Sequence, residues 1–435
     1  MVDNPGVTRV KTIPLRRFAE VAKFGVGLSS TFAVFLSDDT MTSAPGFEGP
    51  SGDVRLVPDP AATVALAAVP GWAASPVDQM DQDGGPWVAC PRTFAKSMLG
   101  RLQRKGLELQ GAFEMEFFLG RRTPVRVGEE EPEPMPSHSG PGYGADVLAA
   151  NEPFATALIR ALEAQGTGVM QFHPEYSTGQ MEVSVPHVSG LAIADTNLIL
   201  RQTIRAVAAA QGLAVSFAPV VFAGLVGNGA HLHFSLWDRA GRNLFAGGRG
   251  PYGMTRTAEA FAAGVLGELP ALIAIACPSL PSYHRLQPHR WSGAFTAWGR
   301  ENREAALRFI TGMGRSRATA ANLEFKSVDA SGNPYLVLGS VIAAGLAGIE
   351  WNASLPAPTT EDPDSLPAAE RRRRGIRRLP ATLGEAVREL DRSDLLRSAM
   401  GDALFGSFLA SRRAEWEKYR DADEAAVIRA QRWRY

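Results

Sequence analysis

The stretch Phe113-Glu114-Met115-Glu116-Phe117-Phe118 places two carboxylates two residues apart among apolar residues. Successive side chains of a β-strand point to opposite faces of a sheet, so a strand here directs both carboxylates to the same face. A pair of this kind is more often a solvated strand edge than a functional site. Its meaning therefore depends on what the rest of the chain supplies.

Three further segments carry side chains of the same type. Residues 173–182 supply Glu175 and Glu182, residues 229–233 supply His231 and His233 on alternate positions, and residues 322–326 supply Glu324. Clusters of carboxylate oxygens with one or two imidazoles suit Mg²⁺ or Mn²⁺, whereas structural zinc sites favour thiolates. The sequence thus predicts a divalent metal centre built from four separated segments.

Three arginines stand between these segments, namely Arg285, Arg303 and Arg308. The guanidinium group is a permanent cation whose donors match phosphate and carboxylate oxygens. Divalent metal ions combined with converging arginines are the typical apparatus of phosphoryl transfer.

Six stretches together resemble the glutamine synthetase family: GAFEMEFF (111–118), HPEYSTGQMEVS (173–184), GNGAHLHFSLW (227–237), PSYHRL (281–286), ENREAALR (301–308) and NLEFKSVDASGNPYL (322–336). The resemblance implies an α+β fold with two domains. Residues 1–88 are expected to form a small N-terminal β-grasp-like domain. Residues 89–435 are expected to form a large catalytic domain with a curved antiparallel sheet flanked by helices.

The local pattern predicts the positions of several elements. In the N-terminal part we expect strands at 8–15, 31–36 and 52–59, a loop at 25–30, and no helix before the first strand. Further along, helices are predicted at 92–105, 150–166 and 191–212, and the Pro/Gly-rich acidic stretch 129–144 is predicted to be a loop. The apolar run 336–349 is too short to span a bilayer and predicts a buried helix.

Composition limits the classes of partner. The 435 residues contain 45 Lys+Arg and 45 Asp+Glu, so no bulk charge attracts nucleic acid or an anionic membrane. The two cysteines, Cys90 and Cys277, do not make a disulfide framework. The N-terminus also lacks the apolar segment of a signal peptide. We therefore expect a cytoplasmic protein.

The resemblance implies two or more Mg²⁺ (or Mn²⁺) ions per active site, with ATP as co-substrate. It places one ion beside the acyl acceptor, held by Glu116, Glu175 and Glu182. It places the other ion beside the nucleotide phosphates, held by Glu114, His231 and Glu324. His173 is expected to support a ligand rather than to act as one.

The resemblance also implies roles for cations and small residues. Arg303 falls on the arginine that contacts the transferring phosphate, Arg308 on a nucleotide-phosphate arginine, and Arg285 on the arginine that holds the substrate carboxylate. Gly227 and Gly229 correspond to the glycine-rich turn beside the amino-acid substrate.

Two positions on the nucleotide side keep alternatives open. His233 and Ser235 fall near the adenosine, although His233 could pack under the sheet and Ser235 could be an ordinary strand serine.

Lys326 stands where the family has a substrate-binding arginine. Asn322 replaces another arginine, for which Arg315 or Arg317 are possible substitutes. The segment 361–370 lacks the family's regulatory tyrosine.

Two departures concern the amine. Ammonia-using members carry an aspartate where this chain has Gly27, and a glutamate on a flap where it has Trp291. Ammonium needs carboxylates both to bind and to lose its proton. Trp291 could instead pack against a larger amine, or it could pack into the core with the flap displaced.

The sequence therefore predicts a ligase that uses ATP to join the γ-carboxylate of glutamate to an amine larger than ammonia, either ethanolamine or a polyamine. Asp38, Asp39 or Glu129 could receive the distal charges of a polyamine. The alternatives are an ammonia-dependent glutamine synthetase and a non-catalytic sensor or structural relative. The resemblance also implies a homo-oligomer of two stacked hexameric rings, with no nucleic-acid or membrane partner.

Overall fold

The fold was obtained as a computed structural model that describes residues 1–49, 52–126 and 128–435. Its strands are β1 (Val26–Ser29), β2 (Asp53–Pro58), β3 (Val64–Ala65), β4 (Ala73–Ala74), β5 (Val77–Met80), β6 (Leu107–Arg121), β7 (Met135–Pro136), β8 (Gln171–Pro174), β9 (Gln180–Ser184), β10 (Val188–Ser189), β11 (Ala214–Ser216), β12 (Ala230–Asp238), β13 (Phe295–Arg300), β14 (Ala305–Ile310) and β15 (Asn322–Phe325).

Helices cover much of the remaining described chain. They are α1 (Phe18–Phe24), α2 (Pro91–Arg104), α3 (Ala145–Ala150), α4 (Glu152–Ala164), α5 (Ala192–Ala210), α6 (Arg256–Ala276), α7 (Ser282–Arg285), α8 (Arg317–Ala320), α9 (Pro334–Glu350), α10 (Ala368–Arg373), α11 (Leu383–Asp391), α12 (Asp394–Met400), α13 (Asp402–Tyr419) and α14 (Glu424–Gln431). The predicted helices at 92–105, 150–166 and 191–212 are confirmed as α2, α4 and α5.

The N-terminal part differs from the sequence prediction. Its sheet has the antiparallel order β1-β2-β5, with β3 and β4 forming a separate hairpin. The predicted loop at 25–30 contains β1, the predicted strand at 31–36 begins as a 3₁₀ turn (Ser30–Val34), and α1 precedes the first strand of this sheet. The Ser29 hydroxyl accepts the Thr31 N–H and starts the turn, which buries Ala33 and Val34.

The first residues pack against the catalytic part of the chain. Val2, Val34 and Phe47 belong to the large hydrophobic core, and the Asn333 side chain donates to the Val2 carbonyl at 3.0 Å. A separate small cluster at 28–56 lies within the N-terminal sheet. The domain boundary after residue 88 remains a prediction.

The large sheet has the order β13-β14-β15-β12-β6-β9-β8, with β7, β10 and β11 also paired to β6. The prediction that it is antiparallel is wrong at one edge, where β13 and β14 run parallel. Phe295 pairs with Ala305, and Arg300 pairs with Phe309. Residues 301–304 therefore return the chain to the level of the start of β13, so that β14 runs in the same direction as β13. The sheet is therefore mixed.

The helical layer is centred on α6 and α9. The two helices approach closely at Gly264 and Gly348, where an added Cβ would lie 2.2 Å from the Ala344 carbonyl oxygen and 2.1 Å from that of Ala260, respectively. The predicted buried helix at 336–349 is confirmed as α9. Helix α6 is long and apolar enough to cross a membrane, but 78% of that stretch is buried inside the protein, as in a core helix.

Candidate active site

Cross-strand pairing brings five of the six predicted metal ligands and Arg308 into one band on the large sheet. Each pair of neighbouring strands from β14 to β8 contributes one register pair: Arg308 with Glu324, Glu324 with His233, His231 with Glu114, Glu116 with Glu182, and Glu182 with His173. Residues that face each other across strands have neighbouring side chains on one face of the sheet. Strand register alone therefore assembles the four predicted segments.

One group of potential metal ligands lies at the centre of the band. Ligand atoms of Glu114, His233 and Glu324 all lie within 4.8 Å of one another. His231 is next to them, with its Nδ1 3.1 Å from Glu114 Oε1 and 3.4 Å from Glu324 Oε1. Its Nε2 is 3.6 Å from Glu116 Oε1, so the His231 ring stands between this group and the next.

The second group consists of His173, Glu175 and Glu182, again with ligand atoms within 4.8 Å. His173 Nε2 lies 3.1 Å from Glu182 Oε1, so the structure brings this histidine into the group itself. Glu116 is the register partner of Glu182. Its Oε2 accepts from the Gln180 side chain at 2.9 Å and from the Gly229 backbone N–H at 2.8 Å.

The electrostatics of the band fit divalent cations. Burial raises the pKa of Glu116, and the charge of Glu182 raises it further. Burial and the charge of Glu114 likewise raise the pKa of Glu182 against the hydrogen bond from His173. Carboxylates so close together cannot all be ionised cheaply without a cation. The oxygen and imidazole donors suit Mg²⁺ or Mn²⁺.

Glu324 has the opposite character. Burial works to raise its pKa, but the charge of Lys326 and of the neighbouring histidines and Arg308 hold it well below the usual range. Lys326 Nζ and Arg308 Nη1 each lie 3.1 Å from its carboxylate oxygens. The Lys326 ammonium thus forms an ion pair with Glu324. Arg308 also donates a hydrogen bond to Glu301 at 3.0 Å.

The Arg285 side chain is buried against the glycine-rich turn. Its Nη2 lies 3.1 Å from both His231 Nε2 and the Lys326 carbonyl oxygen. Its Nη1 has no hydrogen-bond partner among the described residues, which leaves this NH2 group for a ligand anion. A Cβ at Gly229 would lie 2.6 Å from Arg285 Nη2, so only glycine allows this approach.

The residues for which the resemblance implies the nucleotide side, His233, Ser235 and Asn322, lie on the neighbouring strands β12 and β15. His233 Nδ1 lies 3.0 Å from Asn322 Oδ1, and the Ser235 hydroxyl accepts from the Trp237 indole at 2.8 Å. The structure thus places His233 in the central group of potential metal ligands. Arg315 lies in the 3₁₀ turn Gly314–Ser316 and Arg317 begins α8, and both are exposed.

An open cavity of about 360 Å³ lies beside the end of β13, lined by Trp291, Arg300, residues 301–304 and residues 360–362. Trp291 is 56% exposed, so the alternative in which it packs into the core is wrong. The Arg303 guanidinium carbon lies 5.5 Å from the centre of its ring. An arginine and an aromatic wall therefore share this opening.

Several residues proposed for the amine lie elsewhere in the single chain. Gly27 is in β1 opposite Arg55, and the residues around it are Asp53 and Arg55. Asp38 is bonded to Lys418 and Tyr419, and Asp39 to Arg9 and Arg434. The charges of both aspartates are thus already matched. Glu129 accepts only from the Arg126 backbone N–H among the described residues.

Sequence reasoning missed three side chains at the site. Tyr143 donates to Glu175 and stacks on the His173 ring with centroids 4.9 Å apart. Its loop at 129–144 carried no signal for this contact. Gln180, two residues before Glu182, points to the same face by strand alternation, which could have identified it. Glu304 lines the opening next to Trp291.

The fold and the band define a class of protein: buried carboxylates, imidazoles and arginines of this kind are used by metal-dependent enzymes that handle phosphate. The family profile "Glutamine synthetase, catalytic domain" matches residues 88–430, and "Glutamine synthetase N-terminal domain" matches residues 1–87. The chain belongs to the glutamine synthetase family of ligases, as predicted.

Individual relatives agree with that assignment. The chain is 48% identical over 436 residues to gamma-glutamylpolyamine synthetase GlnA3 of Streptomyces coelicolor, covering 100% of this chain and 92% of the relative. A solved structure described as a novel glutamine synthase homolog superposes with a TM-score of 0.86 at 33% identity, covering 100% and 97% of the two chains. A GmaS/ADP complex superposes with a TM-score of 0.83 at 30% identity, covering 97% and 93%.

Proposed function

We propose that this ligase couples ATP to the formation of a γ-glutamyl amide between glutamate and a polyamine, through a γ-glutamyl phosphate. The observation that carries the proposal is the exposed Trp291 in the opening beside Arg303, where the family resemblance implies a glutamate. The full-length similarity to a gamma-glutamylpolyamine synthetase supports a polyamine over ethanolamine.

The band on the large sheet would hold two or more Mg²⁺ or Mn²⁺ ions. One group comprises Glu116, Glu175 and Glu182 with His173, and the other comprises Glu114, His231 and Glu324 with His233. Divalent ions at such sites neutralise phosphate oxygens and stabilise the charge of the transferring group.

The protein's own residues would position the substrates. The free Nη1 of Arg285 suits the carboxylate of the amino-acid substrate. Arg308, anchored between Glu324 and Glu301, would contact nucleotide phosphate. Arg303, in the open cavity, would contact the phosphate during transfer. Gln180 and the Gly229 N–H fix the orientation of Glu116.

We expect a preference for a larger amine because this chain lacks two carboxylates that the resemblance implies in ammonia-using members of the family. An ammonium ion bound beside Trp291 would lose hydration without the carboxylate that the family resemblance implies at this position. An alkyl chain recovers affinity by apolar contact, at about 0.8 kcal/mol for each buried methylene. Four methylenes beside Trp291 would then contribute about 3 kcal/mol, which is more than a hundredfold in affinity.

We expect kcat/KM for putrescine or spermidine to exceed that for ammonium by at least about tenfold. The measurement is phosphate release with ATP, Mg²⁺ and glutamate, with the amine varied among ammonium, ethanolamine, putrescine and spermidine. Equal turnover of ammonium would support an ordinary glutamine synthetase instead. A clear preference for ethanolamine would move the proposal to that amine, and no turnover with any amine would favour the non-catalytic alternative.

We also propose a cytoplasmic assembly of two stacked rings of six subunits. Three apolar side chains near the N-terminus, Val10, Leu15 and Phe24, are 75%, 81% and 59% exposed, which suits burial against a neighbouring subunit. Both cysteines are free and buried, which fits a reducing compartment.

Light scattering on the purified protein should therefore give a mass about twelve times that of the 46.6 kDa chain. Full activity in a fraction that elutes as a monomer would contradict the assembly.

A further inference from the structure

A buried carboxylate lies directly behind the exposed tryptophan of the open cavity. Glu304 is 8% exposed, and its Oε1 accepts the backbone N–H of Trp291 at 3.1 Å. Its Oε2 has no hydrogen-bond partner within the described ranges. Leaving a buried carboxylate oxygen unmatched is costly, so a position of this kind calls for a cationic ligand.

The other carboxylates of the same cavity already have basic partners. Glu301 is bonded to Arg308 at 3.0 Å, Glu361 to Arg374 at 3.1 Å, and Asp362 to His289 at 3.0 Å. Among the carboxylates that line this opening in the described chain, Glu304 alone keeps an unpartnered buried oxygen. Among these lining carboxylates, Glu304 is therefore the one that remains available to an incoming cation.

We infer that Glu304 binds the ammonium group of the alkylamine substrate, while the carbon chain of the amine lies along the Trp291 ring. This inference rests on the proposed function and names a specificity-determining residue for it. Glu304 would thereby take the place of the two carboxylates that the family resemblance implies at positions 27 and 291. It is buried behind the Trp291 ring, which forms an apolar wall.

The arrangement favours alkylammonium ions over ammonium for a physical reason. A carboxylate recessed beside an aromatic ring gains full Coulomb interaction only with a cation that also displaces water from the ring. An alkylammonium does both, since its charge reaches the carboxylate and its methylenes cover the indole. Ammonium also reaches the carboxylate, but it has no methylenes to displace water from the indole ring.

The decisive variant is Glu304→Gln in the assembled enzyme, because glutamine keeps the shape and the acceptor for the Trp291 N–H but removes the charge. We expect KM for putrescine to rise at least about tenfold, with KM for ATP and glutamate changed less than about twofold. Hydroxylamine, which is uncharged at neutral pH, serves as the neutral amine. Its KM should change by less than about twofold.

Glu361→Gln is the matched control, since Glu361 lines the same opening but is paired with Arg374, and its kinetics should match the unmodified enzyme. Glu304→Asp retains the charge and should recover part of the loss for putrescine. An equal rise in KM for putrescine and hydroxylamine would show that Glu304 only supports Trp291, and an unchanged KM for both would place the amine elsewhere. Either result overturns the inference.

The failure of the proposed function would look different. It would show in the unmodified enzyme as a preference for ammonium, and Glu304→Gln would then be tested with the charged amine that the enzyme uses best. A clear preference for putrescine combined with an unchanged KM in Glu304→Gln would defeat only the role of Glu304.

Discussion

Glu324→Gln should lower ATP turnover with the preferred amine by at least about a thousandfold, equivalent to about 4 kcal/mol, without unfolding the chain. The buried Glu324 carboxylate accepts from Arg308 and Lys326 and lies 3.4 Å from His231. Glutamine occupies the same space, but it removes the negative charge that a divalent ion needs and leaves two cations beside the ion. Binding of metal and placement of the phosphoryl group should therefore fail together.

Calorimetric titration with Mg²⁺ in the presence of a non-hydrolysable ATP analogue separates the two effects. Glutamine is preferable to alanine here, because alanine would leave the Lys326 ammonium buried without its carboxylate partner and Arg308 with Glu301 alone. Breaking a buried ion pair typically costs 3–5 kcal/mol. The control is Glu301→Gln, which removes the other partner of Arg308 but lies outside the ligand groups, and we expect less than about a tenfold loss. Near-normal turnover in Glu324→Gln would refute the ligand assignment.

The band of side chains was predictable because β-strand alternation is a local property. Glu114 and Glu116 are two residues apart, as are His231 and His233, so each pair faces one side once its segment is a strand. Which segments pair is not local, and that part came from the family resemblance. The structure adds the register, in which His233 lies opposite Glu324 and joins its ligand group.

The errors have non-local causes. Residues 31–36 have the composition of a strand, but Val34 is buried in the large core, and the Ser29 hydroxyl starts a 3₁₀ turn instead. The parallel pairing of β13 and β14 depends on the path of residues 301–304, for which the sequence gives no periodic signal. The same short segment carries Glu304, whose orientation behind Trp291 only tertiary packing defines.

Arg303→Ala should lower kcat by at least about a thousandfold while KM for ATP changes by less than about threefold. The Arg303 side chain is exposed in the open cavity, and its guanidinium carbon lies 5.5 Å from the centre of the Trp291 ring. We expect a cation in this position to gain its main interaction when charge develops on the transferring phosphate. Residues of this type contribute 10³–10⁵-fold in other phosphoryl-transfer enzymes. Nucleotide affinity should persist, because Arg308 is anchored separately by Glu324 and Glu301.

The matched control is Arg300→Ala, since Arg300 is an exposed arginine of the same opening, within 5.6 Å of the Tyr252 ring, and should leave kcat within about twofold. Arg303→Lys should recover only part of the activity, because lysine restores the charge without the bidentate fork. A variant that raised KM for the amine and left kcat intact would show that Arg303 acts on the amine through Trp291 and Glu304. Loss of kcat with unchanged KM values would instead show that the Arg303 charge acts in the transition state, because Arg303 would then contribute nothing to substrate binding in the ground state.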